Sequence, residues 1–387
     1  MPVHIPQEIL DKIIAYAVAD SSPSRYFEDF TSRVPFVSDT FHKIVLPYKF
    51  RSLKFEFYER ESYSFWHVPI PKFLDAINAG DAHALSLAPL VQELSLIFWS
   101  GNDGYRNRIV TGPFGKILNA VLSLSNLTKL TMAKCVTSPT IMEQLGKLVQ
   151  LQSLHTYRCH DEGYRGDSEV VSYNALSNLQ SLHTLKCDGN HFHSRRYFAG
   201  IPMKNLRILK GSDLEVINAL STSDPPVQLK ELWLTWYGGD YSLLWNYLAR
   251  ATSLTHLSIA SYIELSNCPP PPYFPLGPLR IHFLRIHVAF APRFADQPLK
   301  EMRIDTESEP DGAMVEVRQH WQGTVFPHVE CLVINRPYKE LDKIPIELWR
   351  EFLPSVKEVR RTNFLGTAII CLSVSLFLFL FHLASEM

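Results

Sequence analysis

The order of apolar and polar positions changes character near residue 52. Before it, Ile9, Ile13 and Ala17 lie four apart, as do Leu10 and Ile14, which places one broad apolar face on a helix. Pro6 suits the first turn of that helix, where a missing N–H costs no hydrogen bond. The Asp20-Ser21-Ser22-Pro23 cluster stops it. A second helical pattern starts near Pro35 and sets Val37, Phe41, Ile44 and Val45 on one side. From Leu53 the period falls to two. Leu53, Phe55 and Phe57 alternate with Lys54 and Glu56, as a half-buried strand requires.

Beyond that strand a short pattern recurs, with an apolar residue at positions one, four and six. It reads Val91-Leu94-Leu96, Leu127-Leu130-Met132, Leu151-Leu154-Thr156, Leu182-Leu185-Cys187 and Leu206-Leu209-Gly211. It continues as Leu229-Leu232-Leu234, Leu254-Leu257-Ile259, Leu299-Met302-Ile304 and Val329-Leu332-Ile334, then Val356-Val359, with a degraded turn near Leu279. Between the starts at 127 and 254 the spacing is 23 to 31 residues. Helix-like stretches over 140–148 and 242–248 fall between strands and predict an outer, convex layer. One such unit cannot bury its own apolar side, but stacked units share a continuous core. The pattern and its period resemble leucine-rich repeats, so the fold class expected is α/β: an irregular leucine-rich-repeat solenoid behind a small N-terminal helical module.

That module carries a resemblance of its own. The run Ile5-Pro6-Gln7-Glu8-Ile9-Leu10-Asp11-Lys12-Ile13-Ile14 resembles the opening of the F-box, and 36–45 resembles its later helix. The stretch 46–53 is similar to the junction in fungal F-box proteins with degenerate leucine-rich repeats. The resemblance implies a substrate-recognition subunit of a cullin–RING (SCF-type) ubiquitin ligase. In it, Ile5, Pro6, Ile9, Leu10, Ile13 and Ile14 would face a Skp-type adaptor, supported by Val37 and Phe41, and the repeats would hold an unknown target protein. The alternative is a membrane-anchored repeat scaffold with no ubiquitin link, its N-terminal helices serving as a cap.

If the strands are as read, the residues between the buried positions form the open face. Among them Lys129, His155, Lys186, Lys210, Trp233, His256 and Arg303 are the candidate target-binding residues. Trp233 stands out, because a large aromatic on the exposed side of a strand is a frequent binding hot spot. The plainer reading packs it beneath the Trp236-Tyr237 turn. Lys186 and Lys210 suggest an acidic or phosphorylated partner segment.

Composition narrows the choices. With 38 Lys+Arg against 39 Asp+Glu the net charge is −1, and nothing asks for a nucleic-acid partner. The six cysteines form no CxxC pair and read as reduced, mostly buried thiols. Neither Cys159-His160-Asp161-Glu162 nor His191-x-His193 has the ligand spacing of a structural metal site. Pro270-Pro271-Pro272-Tyr273 fits a WW-domain ligand, though such runs are usually inter-repeat loops. No phosphate-binding loop, HExxH or GxSxG occurs, so neither an enzyme nor a cofactor is expected.

The C-terminal stretch 364–384 carries no Asp, Glu, Lys or Arg and is about long enough to span a ~30 Å hydrocarbon core. Arg360 and Arg361 precede it. Hydropathy therefore predicts a transmembrane helix that anchors a cytosolic body to an intracellular membrane. The expected domains are 1–52, the F-box-like module; 53–361, the solenoid; and 364–384, the membrane helix.

Overall fold

A computed structural model of the chain describes residues 46–47, 50–58, 71–99, 111–137, 139–161, 174–188, 201–211, 220, 223, 226–236, 242–261, 279–305, 315, 317–335 and 346–362. The chain divides into two compact units, Met1–Gly211 and Ser212–Met387.

In the first unit the strands are β1 (Ser52–Tyr58), β2 (Glu93–Trp99), β3 (Lys129–Ala133), β4 (Val136–Thr137), β5 (Ser153–Tyr157), β6 (His160–Asp161), β7 (Thr184–Asp188) and β8 (Ile208–Gly211). Strands β1, β2, β3, β5, β7 and β8 form one parallel sheet in that order, and β4 pairs with β6 apart from it. Helices α1 (Lys72–Asn78), α2 (Ala82–Leu87), α3 (Thr111–Leu122) and α4 (Pro139–Gly146) fill the connections, with α1 against α3 and α3 against α4. The second unit holds β9 (Glu231–Trp236), α5 (Ser242–Arg250), β10 (His256–Ser261), β11 (Phe283–His287), β12 (Glu301–Asp305), β13 (Cys331–Asn335), α6 (Ile346–Trp349) and β14 (Glu358–Thr362). Its strands pair in parallel in chain order. Parallel neighbours reached through a returning helix or turn, repeat after repeat, are the architecture of leucine-rich repeats.

Burial explains the sequence pattern. Leu94 and Leu96 on β2 meet Leu130 and Met132 on β3, which meet Leu154 and Thr156 on β5, in strict register. All of these are buried, as are the position-one residues Val91, Leu127, Leu151, Leu182, Leu206, Leu229, Leu254, Leu299, Val329 and Val356. Thr156 is tolerated at an apolar position because its hydroxyl donates to the Lys186 carbonyl at 3.5 Å. Within each unit, strand entrances are tied to the ones before them. The Gln92 carbonyl accepts from the amides of Thr128 and Lys129, the Thr128 carbonyl from Gln152 and Ser153, and the Gln152 carbonyl from His183 and Thr184. The same double bond recurs at Lys230, Thr255, His282, Lys300 and Glu330.

Two readings need correction. The degraded turn expected near Leu279 is a regular repeat displaced by two residues: Ile281, Leu284 and Ile286 occupy positions one, four and six and are all buried. The transmembrane helix, and with it the membrane-anchored localisation, is also withdrawn. Among the described residues no helix is long and apolar enough to cross a membrane. The longest, α3, has 12 residues, or about 18 Å at 1.5 Å per residue, short of the ~30 Å a bilayer core requires. The segment 364–384 itself lies outside the described residues.

Candidate binding face

The residues between the buried positions emerge on the opposite side of each sheet. In the second unit they form two register rows. One runs Glu231, His256, Phe283, Glu301, Cys331 and Glu358; the other runs Trp233, Ser258, Arg285, Arg303, Val333 and Arg360. Their side chains build a continuous aromatic and guanidinium band. The rings of Trp233 on β9 and Phe283 on β11 lie 5.2 Å apart. Strands two apart are separated by about 9.6 Å, so the rings lean toward each other over β10. There the small Ser258 is buried, and His256 stacks on Phe283 at 5.8 Å. From β12, Arg303 reaches back over Phe283, its guanidinium carbon 5.1 Å from the ring centre.

The polar groups of this band satisfy one another. The Trp233 indole N–H donates to Glu231 at 3.2 Å. Arg303 donates to Glu301 at 2.9 Å, and Arg360 pairs with Glu358 at 2.7 Å. Arg285 grips Asp305 of the next strand through Nε and Nη2 at 3.2–3.3 Å. The hydrogen bond from Arg360 holds the Glu358 carboxyl below the usual carboxylate range. Between Glu301 and Glu358, the Cys331 thiol is pushed up, first by burial, with the two flanking carboxylates adding to it. A raised thiol pKa keeps little thiolate at neutral pH, which is the wrong direction for a nucleophile.

Three of the seven candidate target-binding residues, Trp233, His256 and Arg303, are thus drawn together in the second unit. Their shared centre, Phe283, was not among the candidates, because the strand that carries it was not placed. The alternating pattern of Phe283-Leu284-Arg285-Ile286 would have found it. The other four lie in the first unit. His155, Lys186 and Lys210 are register neighbours on β5, β7 and β8. Lys129 stands on the adjacent row, paired with Glu93 of β2 at 3.1 Å. Lys186 and Lys210 stand side by side on neighbouring strands. The adaptor-facing candidates Ile5, Pro6, Ile9, Leu10, Ile13, Ile14, Val37 and Phe41 lie outside the described residues. Among the described residues no group of three or more His, Cys, Asp or Glu side chains is placed to hold a metal ion.

No family model and no curated protein matches the chain. Among solved structures it is similar to a TLR13–ssRNA13 complex, at 15% identity and a TM-score of 0.37 over 72% of this chain. It is also similar to an internalin (inlF) of Listeria monocytogenes, at 12% identity and a TM-score of 0.32 over 73% of this chain. The chain covers 45% of the first of these proteins and 64% of the second.

Proposed function

We propose that the chain is a recognition protein without a catalytic site of its own, acting as the substrate-recognition subunit of an SCF-type cullin–RING ubiquitin ligase. The observation that supports target recognition is the Trp233–Phe283–Arg303 band. It spans four strands of a sheet whose opposite face is fully used in the core. Large aromatics and arginine are the residues most enriched at binding hot spots. Trp233 and Arg303 are only partly buried and reach solvent from that face, with Phe283 buried between them. The adaptor half of the proposal rests on the F-box-like run from Ile5 to Ile14. In this reading the ubiquitin chemistry belongs to the partners.

The competing reading keeps the face and drops the adaptor, leaving an interaction scaffold with no ubiquitin link. Co-purification of the full chain with a Skp-type adaptor decides between them, run beside an Ile9→Asp/Ile13→Asp double variant. A charge at each of two contact positions should abolish capture, since burying an unpaired carboxylate costs several kcal/mol, or about a hundredfold or more in affinity. Capture by the parent chain that is lost in the variant supports the ligase subunit. Failure of the parent chain to capture the adaptor leaves the scaffold.

A further inference from the structure

The open face of the second unit repeats one small arrangement. On β12, Glu301 and Arg303 stand two residues apart and pair, and the guanidinium lies over Phe283. On β14, Glu358 and Arg360 stand at the same two positions and also pair. On β11, Arg285 finds its carboxylate on the next strand, at Asp305. Strand β9 has the same spacing with a different occupant. Glu231 holds the acid position, but Trp233 stands where β11, β12 and β14 carry arginine.

That substitution leaves Glu231 without a cation among the described residues. It accepts a hydrogen bond from the indole N–H at 3.2 Å, and no lysine or arginine among the described residues pairs with it. The adjacent His256 is committed elsewhere, its ring stacked on Phe283 and its Nδ1 at 3.0 Å from the Thr255 hydroxyl. The other two carboxylates of the rows, Glu301 and Glu358, and the neighbouring Asp305 each have an arginine. Beside Phe283 the carboxylate, the aromatic ring and the cation are all supplied by this chain. Beside Trp233 the carboxylate and a larger, more electron-rich ring are present, and no described residue supplies the cation.

We propose that the Glu231–Trp233 pair receives an arginine side chain from the target protein, its guanidinium laid on the indole and hydrogen-bonded to the carboxylate. Trp is the best aromatic partner for a cation, and a planar guanidinium can stack and donate in the same pose, which an ammonium cannot. Arg303 on Phe283 beside Glu301 is this chain's own example of the occupied site. The inference rests on the sheet face being the recognition surface and adds the chemistry of what that surface reads.

The probe is acetyl-arginine methylamide, with its citrulline counterpart as an uncharged control of the same shape. Both are titrated into the full chain carrying 15N-labelled tryptophan. The chain has seven tryptophans, and the Trp233 indole signal is assigned by its absence in Trp233→Phe. The arginine probe should shift that signal saturably. Citrulline should bind about tenfold more weakly, the size of a cation–π contact and an ion pair lost together, and arginine on Glu231→Gln, which keeps the cation–π contact, about threefold more weakly. The remaining indole signals report whether each variant is folded. An absent shift, an equal response to citrulline, or an unchanged response in Glu231→Gln overturns the proposal. Such a result leaves the recognition surface standing if Trp233→Ala still loses the target. Retention of the target by a folded Trp233→Ala chain removes the surface itself.

Discussion

Lys134 and Arg158 hold φ angles of 56° and 48°, a conformation L side chains rarely adopt. Each stands just after a strand of the sheet and just before a buried cysteine, Cys135 or Cys159. The reversal turns the chain so that the following thiol enters the core. The Cys135 thiol donates to the Ala133 carbonyl at 3.5 Å, and the Cys159 thiol to the Met132 carbonyl of the preceding repeat at 3.4 Å. Burial pushes the Cys135 thiol well up, so it serves as a small apolar side chain with a weak donor. The left-handed turn costs a side-chain-bearing residue about 1–2 kcal/mol, and glycine avoids that while losing about 0.5–1 kcal/mol of chain entropy. Lys134→Gly should therefore raise stability slightly, by about 0.5 kcal/mol, whereas in Arg158→Gly the loss of the guanidinium's contact with the Tyr157 ring, 5.4 Å from its centre, offsets that gain. Lys134→Val, β-branched at a positive φ, should lower it by more than that. Urea unfolding of the full chain gives the sign in each case. A Gly variant no more stable than the Val variant would show that the turn is not under strain.

At the scale of the repeat, the legible part of the fold was the part that burial enforces. Positions one, four and six must be apolar because one unit's inward side is covered only by its neighbours, and the spacing of Leu127, Leu151 and Leu182 shows it directly. A fourth position lies three residues earlier, where Leu124, Leu148 and Leu179 are buried and their carbonyls accept from the position-one amides. It was equally visible and went unread. The cysteines three residues after Met132 and Thr156 were read as buried thiols without a place in the unit. A cysteine in isolation does not announce its repeat position. The unit at Ile281 was hidden by the proline-rich run before it, and Leu279 offered a false start two residues early. Its core residue Leu284, fully buried and paired in register with Leu257 and Met302, gives the check. Leu284→Ala should cost about 2–5 kcal/mol, as Leu257→Ala should, because each leaves a cavity between two stacked units. A cost below about 1 kcal/mol in denaturant unfolding would mean that this turn is peripheral to the stack.

For the molecule as a whole, the reading is a division of labour between an N-terminal segment and a sheet face. Part of that face was legible. Trp233, His256 and Arg303 could be named from alternation alone, because residues between buried positions must emerge on the other side. Their convergence on Phe283 could not be named, since it depends on strands that are neighbours in the sheet and up to 70 residues apart in sequence, from 233 to 303. The division of labour makes a prediction that neither half makes alone. Trp233→Ala removes an aromatic that packs on Phe283 at the open surface rather than within the inward core. It should lower target capture by about 2 kcal/mol, some thirtyfold, the scale of an interface hot spot. Adaptor capture should stay unchanged. Ile9→Asp/Ile13→Asp should do the reverse, losing the adaptor and keeping the target. Pull-down of both partners with both variants of the full chain measures the four quantities together. Loss of both partners in either variant would mean that the variant is misfolded or that the two functions share one surface. Melting curves separate those causes, because a misfolded chain loses its cooperative transition while a shared surface leaves it in place.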